Sequence, residues 1–193
     1  MQENKSVITN PMSSNLIEKY TDSKANIVTY ANITNMTSLE QVFNGFDHAI
    51  LFLAVESPSS GHFQCIYISN DENGPILNFM DSYGLKPDGA INKISSTQSN
   101  LFGQNNNLTK LIQQSKFYPD RYSYNDHKYQ STSTDVSTCG RYAVLSVILN
   151  YIFKKRNLAF GVAHFYKLME FWKQKYRVSY DTIVSNIINK IAK

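Results

Sequence analysis

The chain has 193 residues, of which 42% are hydrophobic, 13% aromatic and 18% charged, with a net charge of +4. This composition excludes a disordered chain, and we expect one domain over residues 1–193 with a substantial core. Two cysteines are too few for a disulfide framework, and no apolar run has the length of a membrane span. Residues 1–10 lack the apolar segment of a signal peptide, so the expected protein is not secreted and does not contact membranes.

The positive charge is concentrated towards the C-terminus. From Gly140 onward there are ten basic and two acidic residues, a net charge of +8, whereas the preceding residues contribute nine basic and thirteen acidic groups, −4. Such a surface is typical of contact with a polyanion such as DNA, or simply of the solvated outer faces of helices. The charge alone leaves both interpretations open.

The N-terminal part of the chain gives weak signals. Residues 1–25 are polar and predict a lead-in with little to pack. Residues 38–41 (SLEQ) have the form of a capping box, in which a serine and a glutamine satisfy the first backbone groups of a helix. They predict a short helix that ends near Phe46.

Three strand-length segments follow. Residues 47–56 are almost continuously apolar, residues 62–69 alternate, and residues 75–82 form a third segment, with turns of Pro, Ser, Gly and Asn between them. The alternation places His62 and Phe63 on opposite faces of the second strand. Short turns between neighbouring strands predict an antiparallel meander. The fold class that we predict is therefore α+β, with a central, mainly antiparallel sheet.

The remaining elements are a long irregular region and three helices. The signal is weak over residues 83–115, and residues 118–130 suggest an irregular fourth strand before a loop into Cys139. A broad apolar pattern predicts a largely buried helix that begins at Cys139. Two further helices are predicted over about 162–174 and 179–192.

The start of the Cys139 helix has the features of a reactive thiol. Thr138 is a plausible N-cap, which places Cys139 in the first turn, where the helix dipole favours the thiolate. Gly140 has no side chain and is expected to leave room for a substrate backbone. The alternative is a buried structural cysteine, the more frequent role of a free thiol.

A cysteine nucleophile needs a base, a group that orients the base, and donors for the oxyanion. His62 opens a strand after a glycine turn, and Asp81 ends the next strand, so antiparallel pairing can join them. Gln130 lies in the loop before Cys139, where its amide could donate to an oxyanion. Each of the three has an ordinary structural alternative: a packed histidine, a turn aspartate and a loop glutamine. The other histidines lie in less defined contexts (His48, His127 and His164).

The order His62, Asp81, Gln130, Cys139, within the blocks GHF, FMDSYG and TCGR, resembles the cysteine protease clan of adenain and the SUMO proteases. The resemblance extends over about residues 27–152. It is strongest to the maturation proteases of virophages, large DNA viruses and related mobile elements. The sequence departs from the clan in having Phe63 where tryptophan is usual, and in a longer spacing between the glutamine and the cysteine.

The resemblance implies a role for each residue. Cys139 would be the nucleophile, His62 the general base, and Asp81 the group that orients it. Gln130 would stabilise the oxyanion beside the Cys139 backbone N–H. The resemblance also implies an adenain-like fold in which the sheet packs against the helix that carries the cysteine.

The function implied by this resemblance is that of a cysteine endopeptidase. It would process viral capsid or structural precursors after small residues such as Gly-Gly, in the host cytoplasm (virus factory) and inside the virion, as a monomer. Its chemistry requires no cofactor or metal, although a DNA or peptide activator is compatible with it. Weak, non-specific DNA binding is expected on the basic C-terminal residues (Lys154, Lys155, Arg156, Lys173, Lys175 and Arg177).

Three alternatives remain open at this point. The same chemistry would serve a deubiquitinase or SUMO-type isopeptidase acting on host conjugates, which must hold a folded modifier rather than an extended peptide. Acyl transfer to Ser or Lys would require an acetyl-CoA site, for which the sequence shows no signal. A binding module with an inactive relic site is the alternative that is not an enzyme.

Overall fold

The computed structural model describes residues 12–22, 24–133 and 136–191. In chain order they form α1 (Ser14–Thr21), β1 (Asn26–Thr29), α2 (Tyr30–Ile33), α3 (Leu39–Phe43), β2 (His48–Ser57), β3 (Ser60–Asp71), β4 (Gly74–Met80), a 3₁₀ turn (Ile91–Lys93), α4 (Ser96–Leu101), α5 (Leu108–Gln113), β5 (Tyr122–Tyr124), α6 (Cys139–Lys155), α7 (Val162–Tyr176) and α8 (Tyr180–Ile191).

A five-stranded sheet in the order β1-β2-β3-β4-β5 organises the molecule. The pairs β2–β3 and β3–β4 are antiparallel, which confirms the predicted meander and the α+β class. The outer strands β1 and β5 each run parallel to their neighbour. Strand β5 lies in the segment expected to hold an irregular fourth strand, whereas the four-residue β1 was not predicted.

Helices pack against both faces of this sheet. This packing explains why the sequence of β2 is almost continuously apolar. The first seven residues of β2 are all buried, because a strand covered on both faces has no solvent side to alternate with. One face packs against α6, α1, α7 and α8, and receives Phe63, Cys65 and Tyr67 of β3. The other face packs against α2, α3 and α5, and receives Ile66. The predicted alternation of β3 is therefore observed.

Helix α6 packs across β3 and is the most buried helix of the described chain. Residues 140–147 are all buried, so its first two turns are surrounded by protein. This confirms the expected burial, and it explains why the apolar residues of these turns do not form a single stripe. Further along, Asn150 is buried while Ile152 is 39% exposed, which shows where α6 leaves the core.

The prediction that residues 1–25 pack little is wrong for the segment that the structure describes. Helix α1 buries Ile17 completely, and Met12, just before the helix, is 6% exposed. Both side chains lie against Gly140: a Cβ added there would be 3.1 Å from Met12 Cβ and 3.4 Å from Ile17 Cδ1. Gly140 thus accommodates the N-terminal segment, not a substrate backbone as we expected. Residues 1–11 and 23 lie outside the described part of the chain.

The helix ends differ slightly from the sequence expectation. The capping box before α3 is present, but α3 ends at Phe43 instead of near Phe46, because Asn44 and Gly45 adopt positive φ angles of 47° and 84°. Helix α7 continues to Tyr176 and stops where Arg177 turns left-handed, at φ 53°. Among the described residues, none of the helices is long and apolar enough to cross a membrane.

Candidate active site

Strands β3 and β4 bring His62 and Asp81 together. Their register pairs Cys65 with Met80, so the residue that follows β4 comes beside the start of β3. His62 Nε2 lies 2.8 Å from Asp81 Oδ2, and both side chains are buried, at 8% and 0% exposure. The antiparallel pairing expected from the sequence therefore produces a buried histidine–carboxylate pair.

Two residues that sequence reasoning missed hold the Asp81 carboxylate. Gln64 Nε2 donates to Asp81 Oδ2, and the Tyr30 hydroxyl donates to Gln64 Oε1 at 2.9 Å. The backbone N–H of Tyr83 donates to Asp81 Oδ1 at 2.6 Å. The signal for Gln64 was available, because it lies two residues after His62 and therefore on the same face of β3. Tyr30 gives no such signal, since it comes from a distant helix.

Asn125 fixes the backbone at Asp81. Its Oδ1 accepts from the Asp81 N–H at 2.7 Å, while its Nδ2 donates to the Asp81 carbonyl at 2.7 Å and to the His127 carbonyl at 2.9 Å. The side chain thereby continues the hydrogen bonding of the sheet beyond β4, in the direction of β5. Asp81 is consequently held at its backbone and at its carboxylate.

Cys139 begins α6, and its thiol lies next to the His62 ring. Burial alone raises the pKa of the thiol, but the hydrogen bond and charge of His62, with the backbone N–H groups of Phe63 and Gly140, lower it below the ordinary value. Burial likewise lowers the pKa of His62, but the adjacent Asp81 carboxylate and the Cys139 sulfur raise it to about 10. The lowered pKa of the Cys139 thiol and the raised pKa of the His62 ring both favour a thiolate–imidazolium pair.

Thr138 occupies the N-cap position of α6 but does not cap the helix with its side chain. Its hydroxyl donates to Asp181 on α8, and the backbone of Thr138 has φ −111° and ψ 0° instead of an extended conformation. The expected start of the helix is therefore observed, whereas the expected side-chain cap is wrong. The first turn is closed by the backbone instead, since the Arg141 N–H donates to the Thr138 carbonyl at 2.9 Å.

Gln130 is buried, at 2% exposure, and lines the same cleft as His62 and Cys139. Its Oε1 accepts from the Ser82 hydroxyl at 2.7 Å, which orients the amide, and its Nε2 donates to the Val136 carbonyl at 3.2 Å. An amide nitrogen carries two hydrogens, so a second donor remains for the cleft. The backbone N–H groups of Tyr129 and Gln130 both donate to the Ser82 carbonyl, at 2.9 Å. Gln130 is therefore anchored next to Asp81 despite its long spacing from Cys139.

A cleft of about 530 Å³ joins these residues. Between ring centroids, Tyr83 lies 5.0 Å from His62, and Phe63 packs against Phe52 at 4.8 Å. Among the described residues, the lining comes from the β2–β3 hairpin, from Tyr83, from Gln130 and positions 136–137, from the start of α6, and from the segment before α1 (Met12, Phe52, Val55, Glu56, Ser59, Ser60, Gly61, His62, Phe63, Tyr83, Gln130, Val136, Ser137 and Cys139).

The other three histidines have different surroundings. His48 Nε2 lies 2.8 Å from Asn150 Oδ1 in the core, His127 packs among tyrosine rings, and His164 Nδ1 accepts from the Gly161 N–H at 3.3 Å. Within residues 12–22, 24–133 and 136–191, no cluster of three His, Cys, Asp or Glu side chains is arranged to hold a metal ion. The structure thus places His62, Gln130 and Cys139 in the lining of one cleft, while the fully buried Asp81 contacts that cleft only through His62.

No protein-family model matches the chain. Among curated proteins it is similar to the uncharacterized protein V9 of Sputnik virophage, with 26% identity over 166 residues. The matched region covers 86% of this chain and 87% of V9.

Three solved structures are similar to the chain at low identity and low TM-score. The central domain of the uncharacterized Lpg1148 protein from Legionella pneumophila has 11% identity and a TM-score of 0.41, over 94% of this chain and 99% of that domain. The ASFV pS273R protease has 9% identity and a TM-score of 0.43, over 74% and 59%. AvrA delL154, solved with IP6 and CoA, has 13% identity and a TM-score of 0.37, over 74% and 48%.

Proposed function

We propose that this protein is a cysteine endopeptidase with Cys139 as its nucleophile, His62 as its general acid and base, and Asp81 as the residue that orients His62. The observation that carries the proposal is the continuous contact from the Cys139 thiol through the His62 ring to the buried Asp81 carboxylate, at the edge of one cleft. A nucleophile, its base and a third orienting group in this order constitute the geometry of covalent acyl transfer.

The proposed reaction begins with attack of the Cys139 thiolate on the scissile carbonyl carbon. A carbon–sulfur bond forms, and the electron pair of the C=O bond moves to its oxygen. When the carbonyl reforms, the C–N bond breaks, and the His62 imidazolium gives its proton to the leaving nitrogen. A water molecule then attacks the thioester while His62 takes its proton. The carbon–sulfur bond breaks, and the carboxylic acid product leaves with the thiolate restored.

The tetrahedral oxyanion needs hydrogen-bond donors that are in place before it forms. The backbone N–H of Cys139, at the start of α6, has no partner within the helix and is the first such donor. The remaining Nε2 hydrogen of Gln130 is the second. The bond from Ser82 to Gln130 Oε1 supports this role, because it holds the nitrogen of the amide on the side of the cleft.

The proposed substrate is an extended peptide cut after small residues such as Gly-Gly. Met12, Phe63 and Tyr83 are large side chains around the nucleophile, and their bulk favours a substrate residue without a large side chain. The similarity to a virophage protein supports a viral setting, with capsid or structural precursors as targets in the host cytoplasm and the virion. The protease would act as a monomer without a cofactor, and a DNA or peptide activator remains part of the proposal.

The decisive experiment uses the two cysteines as a matched pair. Cys139→Ala should lower hydrolysis of a peptide library by about 10⁴-fold or more, because the covalent pathway is lost. Cys65→Ala should retain activity, since Cys65 is a core residue with a raised pKa. Circular dichroism and the melting temperature check that both variants fold.

The profile of the library also tests the substrate. We expect Gly or Ala immediately before the cut. Full hydrolysis by the Cys139→Ala variant would refute the proposed nucleophile, and a profile dominated by bulky residues would refute the proposed specificity. Cleavage of ubiquitin or SUMO conjugates with no cleavage of the peptides would favour the isopeptidase alternative.

Weak DNA binding is a second part of the proposal, and the surface of α6 and α7 supports it. Lys155, Arg156, Lys173, Lys175 and Arg177 are exposed, while the more protected Lys154 pairs with Asp47. Non-specific binding of this kind is driven by counterion release and weakens steeply as salt rises. Fluorescence anisotropy with a labelled duplex should therefore detect binding at low salt and little at physiological salt. No binding at low salt would leave these residues as an ordinary solvated surface.

A further inference from the structure

The last described helix contributes a buried carboxylate that the proposed mechanism does not use. Asp181, in the first turn of α8, is 4% exposed. Its Oδ2 accepts from the Ser131 backbone N–H at 3.0 Å. Its Oδ1 accepts from the Thr138 hydroxyl and, at 3.2 Å, from the Tyr142 hydroxyl. One carboxylate thus binds donors from two loop positions and from α6.

The positions of these donors point to the proposed active site. Ser131 directly follows Gln130, and Thr138 directly precedes Cys139. The two donors are the ends of the 131–138 loop, of which residues 134 and 135 lie outside the described chain. Asp181 therefore fixes the separation between the proposed oxyanion donor and the proposed nucleophile. These three hydrogen bonds offset the cost of burying the carboxylate, although burial still raises the pKa of Asp181.

We propose that Asp181 is a positioning residue of the active site, which clamps both ends of the 131–138 loop so that Gln130 and Cys139 face the same oxyanion. The inference rests on the proposed peptidase function. It goes beyond that function by assigning a catalytic consequence to a residue that touches neither the substrate nor His62. Small displacements of oxyanion donors lower the rate of the chemical step more than they lower substrate affinity.

Four substitutions separate positioning from mere stability. Asp181→Ala removes the whole clamp, and Thr138→Val removes only one of its two loop donors, the Thr138 hydroxyl, with little change of shape. Tyr142→Phe is the matched control, because it removes a hydroxyl from the same Oδ1 atom but on α6 instead of the loop. Asp181→Asn is the conservative variant: its oxygen can accept from the Ser131 N–H and its nitrogen can donate to the two hydroxyls.

For peptide hydrolysis, Asp181→Ala and Thr138→Val should lower kcat by about ten- to a hundredfold and change KM by less than about threefold. Asp181→Asn should recover most of kcat. Tyr142→Phe should lower the melting temperature while kcat per folded molecule stays at the wild-type level. A Thr138→Val variant with wild-type kcat, or a Tyr142→Phe variant that loses as much kcat as Thr138→Val, would overturn the proposal.

A second readout does not depend on peptidase activity. The rate of Cys139 alkylation by iodoacetamide, followed by mass spectrometry, should fall in Asp181→Ala and Thr138→Val, because Thr138 directly precedes Cys139 and its release moves the sulfur away from His62. The rate should stay unchanged in Tyr142→Phe. If the wild-type protein cleaved no peptide, the proposed function would fail, but the alkylation rates would still decide on the clamp. Equal alkylation rates in all four variants and the wild type would refute it.

Discussion

The two halves of the candidate site are built in different ways. The His62–Asp81 half stands on paired strands of a central sheet, where register determines which side chains meet. The Gln130–Cys139 half stands on a loop and a helix start, where single hydrogen bonds to Ser82, Val136 and Asp181 determine the position. In a sheet, many backbone hydrogen bonds together fix the position of each residue. In a loop, the position depends on each single hydrogen bond. We therefore expect the halves to respond differently to substitution.

Apart from the loss of the nucleophile itself, the largest effect should come from the strand half. His62→Ala removes the proposed base and should lower hydrolysis by about 10³-fold or more, and Cys139 alkylation should fall as well because the thiolate loses its partner. Asp81→Asn keeps the ring in place and should cost less, on the order of a hundredfold. Peptide hydrolysis and iodoacetamide labelling measure both effects.

Asp71→Asn serves as the control for Asp81→Asn. Asp71 is also a paired aspartate, bound to Arg121 at 2.6 Å, but it lies at the far end of β3. We expect wild-type activity from this variant.

If His62→Ala reacted with iodoacetamide as fast as the wild type, the ion pair at the centre of the proposal would be wrong.

A smaller effect, with a different signature, should come from the loop half. Gln130→Leu removes the proposed oxyanion donor and should lower kcat by about a hundredfold, yet leave Cys139 alkylation unchanged because no oxyanion forms in that reaction. Ser82→Ala leaves the Gln130 nitrogen in place and removes only its orienting partner, so its loss should be smaller. Equal losses of hydrolysis and of alkylation in Gln130→Leu would show that the two halves act as one unit.

The pH profile should show the smallest change. The lowered pKa of Cys139 and the raised pKa of His62, about 10, predict that the active pair exists from below the ordinary thiol pKa up to about 10. Activity should rise through the first pKa and fall through the second. In Asp81→Asn the carboxylate charge is lost, the pKa of His62 drops, and the alkaline limb should move to lower pH. A kcat/KM profile with an unmoved alkaline limb would contradict the assignment of Asp81.

The same contrast explains how far the sequence predicts the structure. Strands β2 to β4 and the pair His62–Asp81 follow from alternation, short turns and register, which are local signals. Helix α6 follows from a broad apolar pattern. In each of these cases the residues that interact either neighbour one another in sequence or are joined by one turn.

The missed features depend on contacts between distant segments. Helix α1 has few apolar residues, and its packing depends on a distant position, Gly140, where the missing side chain leaves room for Met12 and Ile17. The contact of Thr138 with Asp181 spans 43 residues, and the contact of Tyr30 with Gln64 spans 34. The burial of a polar residue cannot be predicted from sequence until its hydrogen-bond partner is known, because the same residue type is common on protein surfaces.

The place of Asp181 in the chain has a consequence for synthesis. Helix α8, the last described helix, is synthesised after all residues of the proposed active site (Tyr30, His62, Asp81, Gln130 and Cys139). A growing chain would therefore contain every group of the proposed reaction before it contains the carboxylate that clamps the loop. On our proposal such a chain cuts poorly until α8 has folded against α6. Other nascent chains on the same mRNA would thus escape cleavage while they still expose unfolded, cleavable segments.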